Sequence, residues 1–434
     1  MRRLIKHAIL PCLAFFALPI AAEQAIEAND ERRTLPIEEL ETFADVFHQI
    51  RENYVEDIDD RSLLMLAIEG MLNGLDPHSR FLQDDDLVDL EENTTGEFGG
   101  LGVEVGSERG LVKIIAPMDN TPAAKAGLQS GDLISHIDGQ PVVDMNVNDA
   151  IDMMRGEPGS TIELKVLREN EDAPLSFSIE RDIIKVRSVR SRMIDRHIGY
   201  LRIAQFQQNT AQDVDTALQT LQKDAPLQGL VIDLRNNPGG LLEAAVKTSD
   251  IFLDKGLVVY TEGRDKQKRS EYIATPGDLL ATTPIAVIIN GGSASAAEIL
   301  AGALQDHRRA VIIGTPSFGK GSVQTVVPLN EHQAIKLTTS RYFTPNGRSI
   351  QAHGIDPDII VAAGGLRENK ERRLKEADLP GHLTNAADQA DAEPNDSDDG
   401  VNLPNDAQLV EAYNLLKAMQ LLKPMASSMI SESK

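Results

Sequence analysis

Thr283-Pro-Ile-Ala-Val-Ile-Ile-Asn290 is a short apolar run, Gly291-Gly292 follows it, and Ser293-Ala-Ser-Ala-Ala-Glu298 opens an Ala/Leu-rich stretch that ends at His307. A continuous apolar run closed by a glycine turn reads as a buried strand, and the stretch after it as a helix starting near Ala296. The same order surrounds it. From about 186 to 362, expected strands at 198–206, 230–235, 257–260, 285–290 and 310–313 alternate with expected helices at 211–222, 241–252 and 296–306. That alternation predicts an α/β core.

The order strand, turn, helix puts Ser295 at a helix N-terminus. There a serine oxygen lies beside unpaired backbone N–H groups and the positive end of the helix dipole, which together stabilise an oxyanion. Farther on, Ser317-Phe-Gly-Lys-Gly-Ser-Val-Gln324 carries Lys320 between two glycines. A lysine is a general base only when neutral, so its pKa must fall from about 10.4 to about 7–8. Phe318, Val323, Val326 and Val327 supply apolar flanks, and Gly319 and Gly321 let the backbone pack closely. Gln324 shares a face with Lys320 if this segment makes a helical turn, and its amide can orient the amine without charging it. In an extended strand the two stand about 13 Å apart. Taken singly, the small residues around Ser295 read as close packing and Gly-Lys-Gly as a surface turn.

Gln228-Gly-Leu-Val-Ile-Asp-Leu-Arg235 reads as another strand and Asn236 to Gly240 as its turn, where glycines expose backbone N–H groups or simply turn tightly. The histidines offer no better base. His307 ends the helix of Ser295, about 18 Å away at 1.5 Å per residue. His78, in Leu75-Asp-Pro-His-Ser79, reads as structural and outside the site. No His-x-x-x-His pair occurs, and the single cysteine, Cys12, lies in the first 22 residues, so neither a metal nor any cofactor is expected.

These blocks, in this order, resemble the carboxyl-terminal processing peptidases, or tail-specific proteases (peptidase family S41, subfamily A), of the bacterial periplasmic type. The resemblance runs from about residue 37 to 362. It implies a ClpP/crotonase-like serine protease core with an inserted PDZ domain and helical terminal segments. It implies a serine endopeptidase in which Ser295, rather than Ser293, is the nucleophile, Lys320 the base and Gln324 its support. It also implies an oxyanion hole made by Ala296 with Gly239 or Gly240. Crotonase-type chemistry on the same fold gives no reason for a buried lysine. The competing class is a PDZ scaffold whose catalytic-like core is silent.

Residues 96–185 resemble a PDZ domain. Phe98-Gly-Gly-Leu-Gly-Val103 looks like the loop whose N–H groups, at Gly100, Leu101, Gly102 and Val103, receive a terminal carboxylate while the peptide adds as a strand. Val147, Ile151 and Met154 lie at helical spacing, either flooring an apolar pocket or serving as core. Arg155 reads as a solvated cation at the helix end, with a substrate carboxylate or a catalytic-domain acid as alternative partners. Expected partners are therefore proteins or peptides with free C-termini.

Residues 1–22 read as a signal peptide: Arg2, Arg3 and Lys6 precede an apolar run closed by Ala21-Ala22. A periplasmic location follows, with inner-membrane association if the segment stays uncleaved. The formal charge of −24 disfavours nucleic acid as a partner. Residues 34–95 form an expected helical region, in which Leu40, Phe43, Phe47, Ile50 and Tyr54 make an apolar stripe. That stripe packs on its own domain or on another subunit. Residues 363–404 read as an acidic linker and 405–434 as a C-terminal helix, capped through Gln408, with Leu409, Tyr413, Leu416 and Met419 on one face. That face is expected to pair subunits into a homo-oligomer or to dock an envelope adaptor protein.

Overall fold

A computed structural model describes residues 35–108, 110–143, 145–169, 171, 173–364 and 405–432. The expected signal segment and nearly all of the expected acidic linker lie outside them. The chain divides into two compact units, one ending at Leu75 and the other running from Asp76.

In the first unit the expected helical region forms two helices, α1 (Ile37–Asn53) and α2 (Asp60–Asn73). The break is local chemistry: Asp59 is extended and its carboxylate accepts the Ser62 N–H at 3.0 Å, starting a new helix. Helix α1 buries none of its side chains, and Leu40, Phe43 and Ile50 of its stripe stay exposed.

The second unit opens with β1 (Arg80–Leu82), α3 (Asp84–Thr95) and β2 (Glu97–Gly100). Strands β3 (Val103–Glu108), β4 (Leu111–Pro117), β5 (Leu133–Ile137), β6 (Gln140–Pro141), β7 (Thr161–Leu167) and β8 (Leu175–Glu180) make one sheet, with β6 beside β5. Helices α4 (Pro122–Ala126) and α5 (Val147–Met154) accompany it. Alternation builds its core: Ile162, Leu164 and Val166 of β7 point inward and their neighbours outward. Strand β9 (Asp182–Lys185) then returns antiparallel to β2, so the chain enters and leaves this domain through one two-stranded neck.

Beyond the neck, β10 (Val189–Met193), β11 (Ile198–Ile203), α6 (Thr210–Leu221), β12 (Gly229–Asp233) and α7 (Leu242–Asp250) follow. Next are β13 (Gly256–Gly263), β14 (Arg269–Ala274), β15 (Ile285–Ile289), α8 (Ala296–Asp306), β16 (Ala310–Gly314), β17 (Ser322–Asn330), β18 (Gln333–Phe343) and β19 (Ile359–Ile360). One sheet has the order β10-β11-β12-β15-β16-β19, parallel apart from β10. Parallel strands are covered on both faces, and every residue of β12 and β15 is buried. Ile285, Val287 and Ile289 face the cluster holding α6, α7 and α8, while Ala286 and Ile288 face the other side. A second, antiparallel sheet joins β1, β18, β13 and β14, with β17 on β18.

The other side is covered by α9 (Ala407–Glu432), whose Leu409, Ala412 and Leu416 are buried there. This corrects two expectations. The apolar face of the C-terminal helix is already occupied by the chain's own sheet, leaving Met419, Leu421 and Leu422 exposed farther along. Its cap is Asp406, which accepts the Gln408 and Leu409 amides at 3.1 and 3.2 Å. The Gln408 side chain instead donates to Val361 O at 2.8 Å. The Ala407 amide bonds Gly364 O at 3.0 Å, so the two ends of the linker abut.

Candidate active site

The loops after β12, β15 and β16 meet at the carboxyl edge of the parallel sheet, where open α/β sheets form clefts. Ser295 caps α8 with φ 54° and ψ −113°, a conformation that costs a non-glycine residue on the order of 1–3 kcal/mol. Its amide is held by the Glu298 Oε2 atom at 2.7 Å. Ser293 is fully buried, accepts the Asn290 amide at 3.0 Å and donates to Leu234 O at 2.8 Å, which fixes the turn. Ser295, by contrast, opens onto a cleft of about 910 Å³ that Lys320 also lines.

Glu298 joins the two segments. Its carboxylate, 1% exposed, also accepts the Ser317 hydroxyl at 2.6 Å, the Gly319 amide at 2.7 Å and the Lys320 amide at 2.9 Å. Burial pushes its pKa up, and the four donated hydrogen bonds work against that. The sequence assigned it no role, although a Glu three residues after a helix-capping serine is a readable signal. Burial lowers the Lys320 pKa below the ordinary lysine value, opposed by the Glu298 charge. The apolar flanks contribute less to that burial than expected. Val323 and Val326 reach the cleft, but Phe318 is 63% exposed and Val326 and Val327 are about two-fifths exposed.

Gln324 sits on β17, so the segment takes the extended alternative and no helical turn forms. A register shift between Val323 and Gln324 bends the strand, and the amide nitrogen donates to Ser322 Oγ at 2.9 Å and Thr338 Oγ1 at 3.4 Å. Gln324 still lines the cleft. Tyr342, missed from sequence, lines the same cleft as Ser295, and burial pushes its pKa up to about 12. A phenol held protonated there is no base near neutrality.

The two glycines expected to donate to an oxyanion differ. The Gly239 amide is spent on Asn237 Oδ1 at 2.9 Å, and a Cβ at that position would stand 2.8 Å from the Ser295 Cβ, so Gly239 serves close packing. Gly240 lines the cleft, and its amide has no acceptor among the described residues. The same holds for the first helical amide, Ala296, as helix geometry requires. Asn236 and Asn290 tie the two loops reciprocally, each side-chain oxygen accepting an N–H from the other residue at 2.9 Å.

His78 is nearer the site than expected. The charges of Lys320 and Lys336 add to burial in lowering its pKa, while Asp76 opposes them. Asp76 accepts the Ser79 hydroxyl at 2.7 Å and the Thr338 hydroxyl at 3.1 Å, linking this block to Gln324. Lys336 is half-buried in the same cleft, its pKa lowered by burial and then by Lys320 and Arg80. Among the described residues no group of three His, Cys, Asp or Glu side chains could hold a metal ion.

In the smaller domain Leu101 and Met154 belong to the core, with Val103 and Ile151 partly buried against it. Gly100 ends β2, and Gly102 turns at φ 72° against Thr121. The Leu101 and Gly102 amides have no acceptor among the described residues. Arg155 is not simply solvated: it pairs with Glu92 at 3.0 Å and Asp89 at 3.4 Å on α3, and lies 5.4 Å from the Phe98 ring centroid.

Fold and site together define a serine-type peptidase carrying a PDZ domain. Peptidase family S41 matches residues 197–361, the PDZ domain 113–168, and the N-terminal domain of the activating protease CtpB 17–86. The carboxy-terminal-processing protease of Bartonella bacilliformis is 46% identical over 403 residues, covering 92% of each chain. The carboxy-terminal processing protease CtpA of Bacillus subtilis is 35% identical over 315 residues, 72% of this chain and 67% of that one. A solved photosystem II D1 C-terminal processing protease is 33% identical, covering 73% of this chain and 86% of that one, with a TM-score of 0.45. The chain belongs to the carboxy-terminal-processing proteases of peptidase family S41.

Proposed function

We propose that the peptidase works through a Ser295/Lys320 dyad on unfolded protein tails. What carries this reading is the single Glu298 carboxylate that holds the amides of both Ser295 and Lys320 at one cleft. Neutral Lys320 takes the Ser295 hydroxyl proton as the oxygen attacks the scissile carbonyl. The Gly240 and Ala296 amides hold the resulting oxyanion. As the C–N bond breaks, the Lys320 ammonium gives its proton to the leaving amine, and an acyl ester remains on Ser295. Water, deprotonated by the same lysine, releases the acid and restores the serine. Gln324, whose side-chain oxygen has no donor among the described residues, accepts an N–H from the Lys320 amine and orients it.

The PDZ domain binds peptide C-termini, and the Leu101 and Gly102 amides with the Ile151 side chain are its proposed contacts. The working division is a signal peptide (1–22), helical region (34–95), PDZ domain (96–185), peptidase core (186–362), acidic linker (363–404) and C-terminal helix (405–434). On this reading the protein is exported to the periplasm and cuts envelope proteins, peptidoglycan hydrolases among them. The exposed stripe of α1 and the exposed end of α9 are the proposed surfaces for a homo-oligomer or an adaptor.

The test is cleavage of an unfolded protein ending in apolar residues, followed by mass spectrometry, for the wild type, Ser295→Ala and Lys320→Ala. Cleavage by the wild type alone is expected. Cleavage that survives either substitution would falsify the dyad.

A further inference from the structure

The turn that carries Gly240 is anchored from two sides. At the front, Asn237 Nδ2 donates to Ile203 O at 2.9 Å, and the Asn236 amide donates to Asn290 Oδ1. At the back stands Arg235, the residue before the turn. Its guanidinium lies between two aspartates: Nη2 is 2.6 Å from Asp233 Oδ2 and 2.8 Å from Asp406 Oδ2, and Nη1 donates to Asp406 Oδ1 at 3.0 Å. Nη1 also reaches Gln408 Oε1 at 3.1 Å. Asp233 is shared, since it accepts the Tyr200 hydroxyl at 2.8 Å and lies 3.5 Å from Arg202. Asp406 is therefore the acid through which α9 grips Arg235.

We infer that Asp406 is a positioning residue for the oxyanion-donating turn, so that the C-terminal helix, docked on the back of the sheet, fixes the Asn236–Gly240 backbone at the front. This rests on the reading that Gly240 donates to the oxyanion. A planar guanidinium held bidentately on two sides has one orientation, whereas one held by Asp233 alone can pivot. The helix is well seated for the task. Leu409 and Leu416 are buried against β12 and β15, and the Gln408 bond to Val361 fixes its first turn. The chain beyond the acidic linker thus reaches the chemistry without touching substrate.

Asp406→Asn in the full-length protein tests this, because asparagine caps a helix as well as aspartate and keeps α9 in place while removing the charge. With a peptide amide substrate kcat is expected to fall about tenfold and KM to stay within about twofold, the scale on which small misplacements act. Inhibition by the matching peptide aldehyde, whose hemiacetal oxygen occupies the same hole, is expected to weaken by the same factor. Amide exchange across 235–241 should speed up while β15 keeps its protection, and Asp406→Glu should restore part of each. Unchanged exchange at 235–241 overturns the inference even if the protein cleaves nothing. Faster exchange with unaltered kcat overturns it as well, as does lost protection extending through β15. Failure of the wild type to cleave would count against the dyad reading, and the exchange measurement would still decide whether Asp406 anchors the turn.

Discussion

At Lys320 two forces oppose each other, and their balance decides whether the site can work. Burial disfavours the ammonium, while the Glu298 charge favours it; the net pKa lies below 10.5, so burial wins. Glu298 is a weak counter-ion because its oxygens already accept four hydrogen bonds from neighbours. The linkage has a definite sign. Between the folded and unfolded pKa values the unfolded chain binds the extra proton, so stability rises with pH across that window, and the penalty is fully present below the folded pKa. Lys320→Met is therefore expected to be inactive yet more stable than wild type at neutral pH. Denaturant midpoints measured from pH 6 to pH 11 should converge as the pH passes the ordinary lysine value. A variant no more stable than wild type at pH 6 would mean that the lysine is not held at a cost. Ser295 and Lys320 could be paired from sequence only through the family resemblance, since each glycine-rich segment taken singly reads as close packing or a surface turn. Tyr342 and Lys336 were not legible, since only pairing between distant strands brings them to the cleft, and His78 stands close enough to feel the Lys320 charge.

Among the elements, β17 and α9 show what periodicity conveys and what it omits. The run Ser322 to Asn330 holds Val323, Thr325, Val326 and Val327, residues that fit a pleated surface, and of the helical turn and the extended strand left open for it, it forms the strand. The antiparallel sheet went unread although its partner β18 holds Ile335, Thr338, Thr339, Tyr342 and Phe343, which also suit a strand. In α9 the spacing of Leu409, Tyr413 and Leu416 marked the buried face correctly. What it could not reveal was the surface that buries the face, which is the chain's own sheet. Leu416→Ala removes a fully buried side chain from that contact and is expected to cost about 2–5 kcal/mol, lowering the thermal midpoint by several degrees. Met419→Ala, at a site 38% exposed, should change it by less than about 0.5 kcal/mol. Equal effects would mean that α9 is not docked on the sheet in solution.

Across the whole second unit, α3 is the element that both domains share. Leu87, Leu90 and Thr94 line the cleft of Ser295, while Asp89 and Glu92 receive Arg155 from the end of α5. The only covalent links are the strands of the β2/β9 neck, so Arg155 is a separate tie between the peptide-binding domain and the cleft wall. The ion pair is partly exposed, and such pairs contribute about 0.2–1 kcal/mol, too little to matter for folding. Its loss should instead misalign a tail held by the PDZ domain with the scissile bond at Ser295. Arg155→Ala is expected to leave the thermal midpoint within about 2 °C. It should also lower kcat/KM about tenfold for a long substrate with a free C-terminus, the penalty expected when a bound chain is displaced by about an ångström. A short peptide that cannot span both sites, or the long substrate with its C-terminus amidated, should be cleaved at nearly the wild-type rate of that same substrate. If all three substrates lose activity equally, Arg155 acts on the cleft itself, and delivery from the PDZ domain does not depend on it.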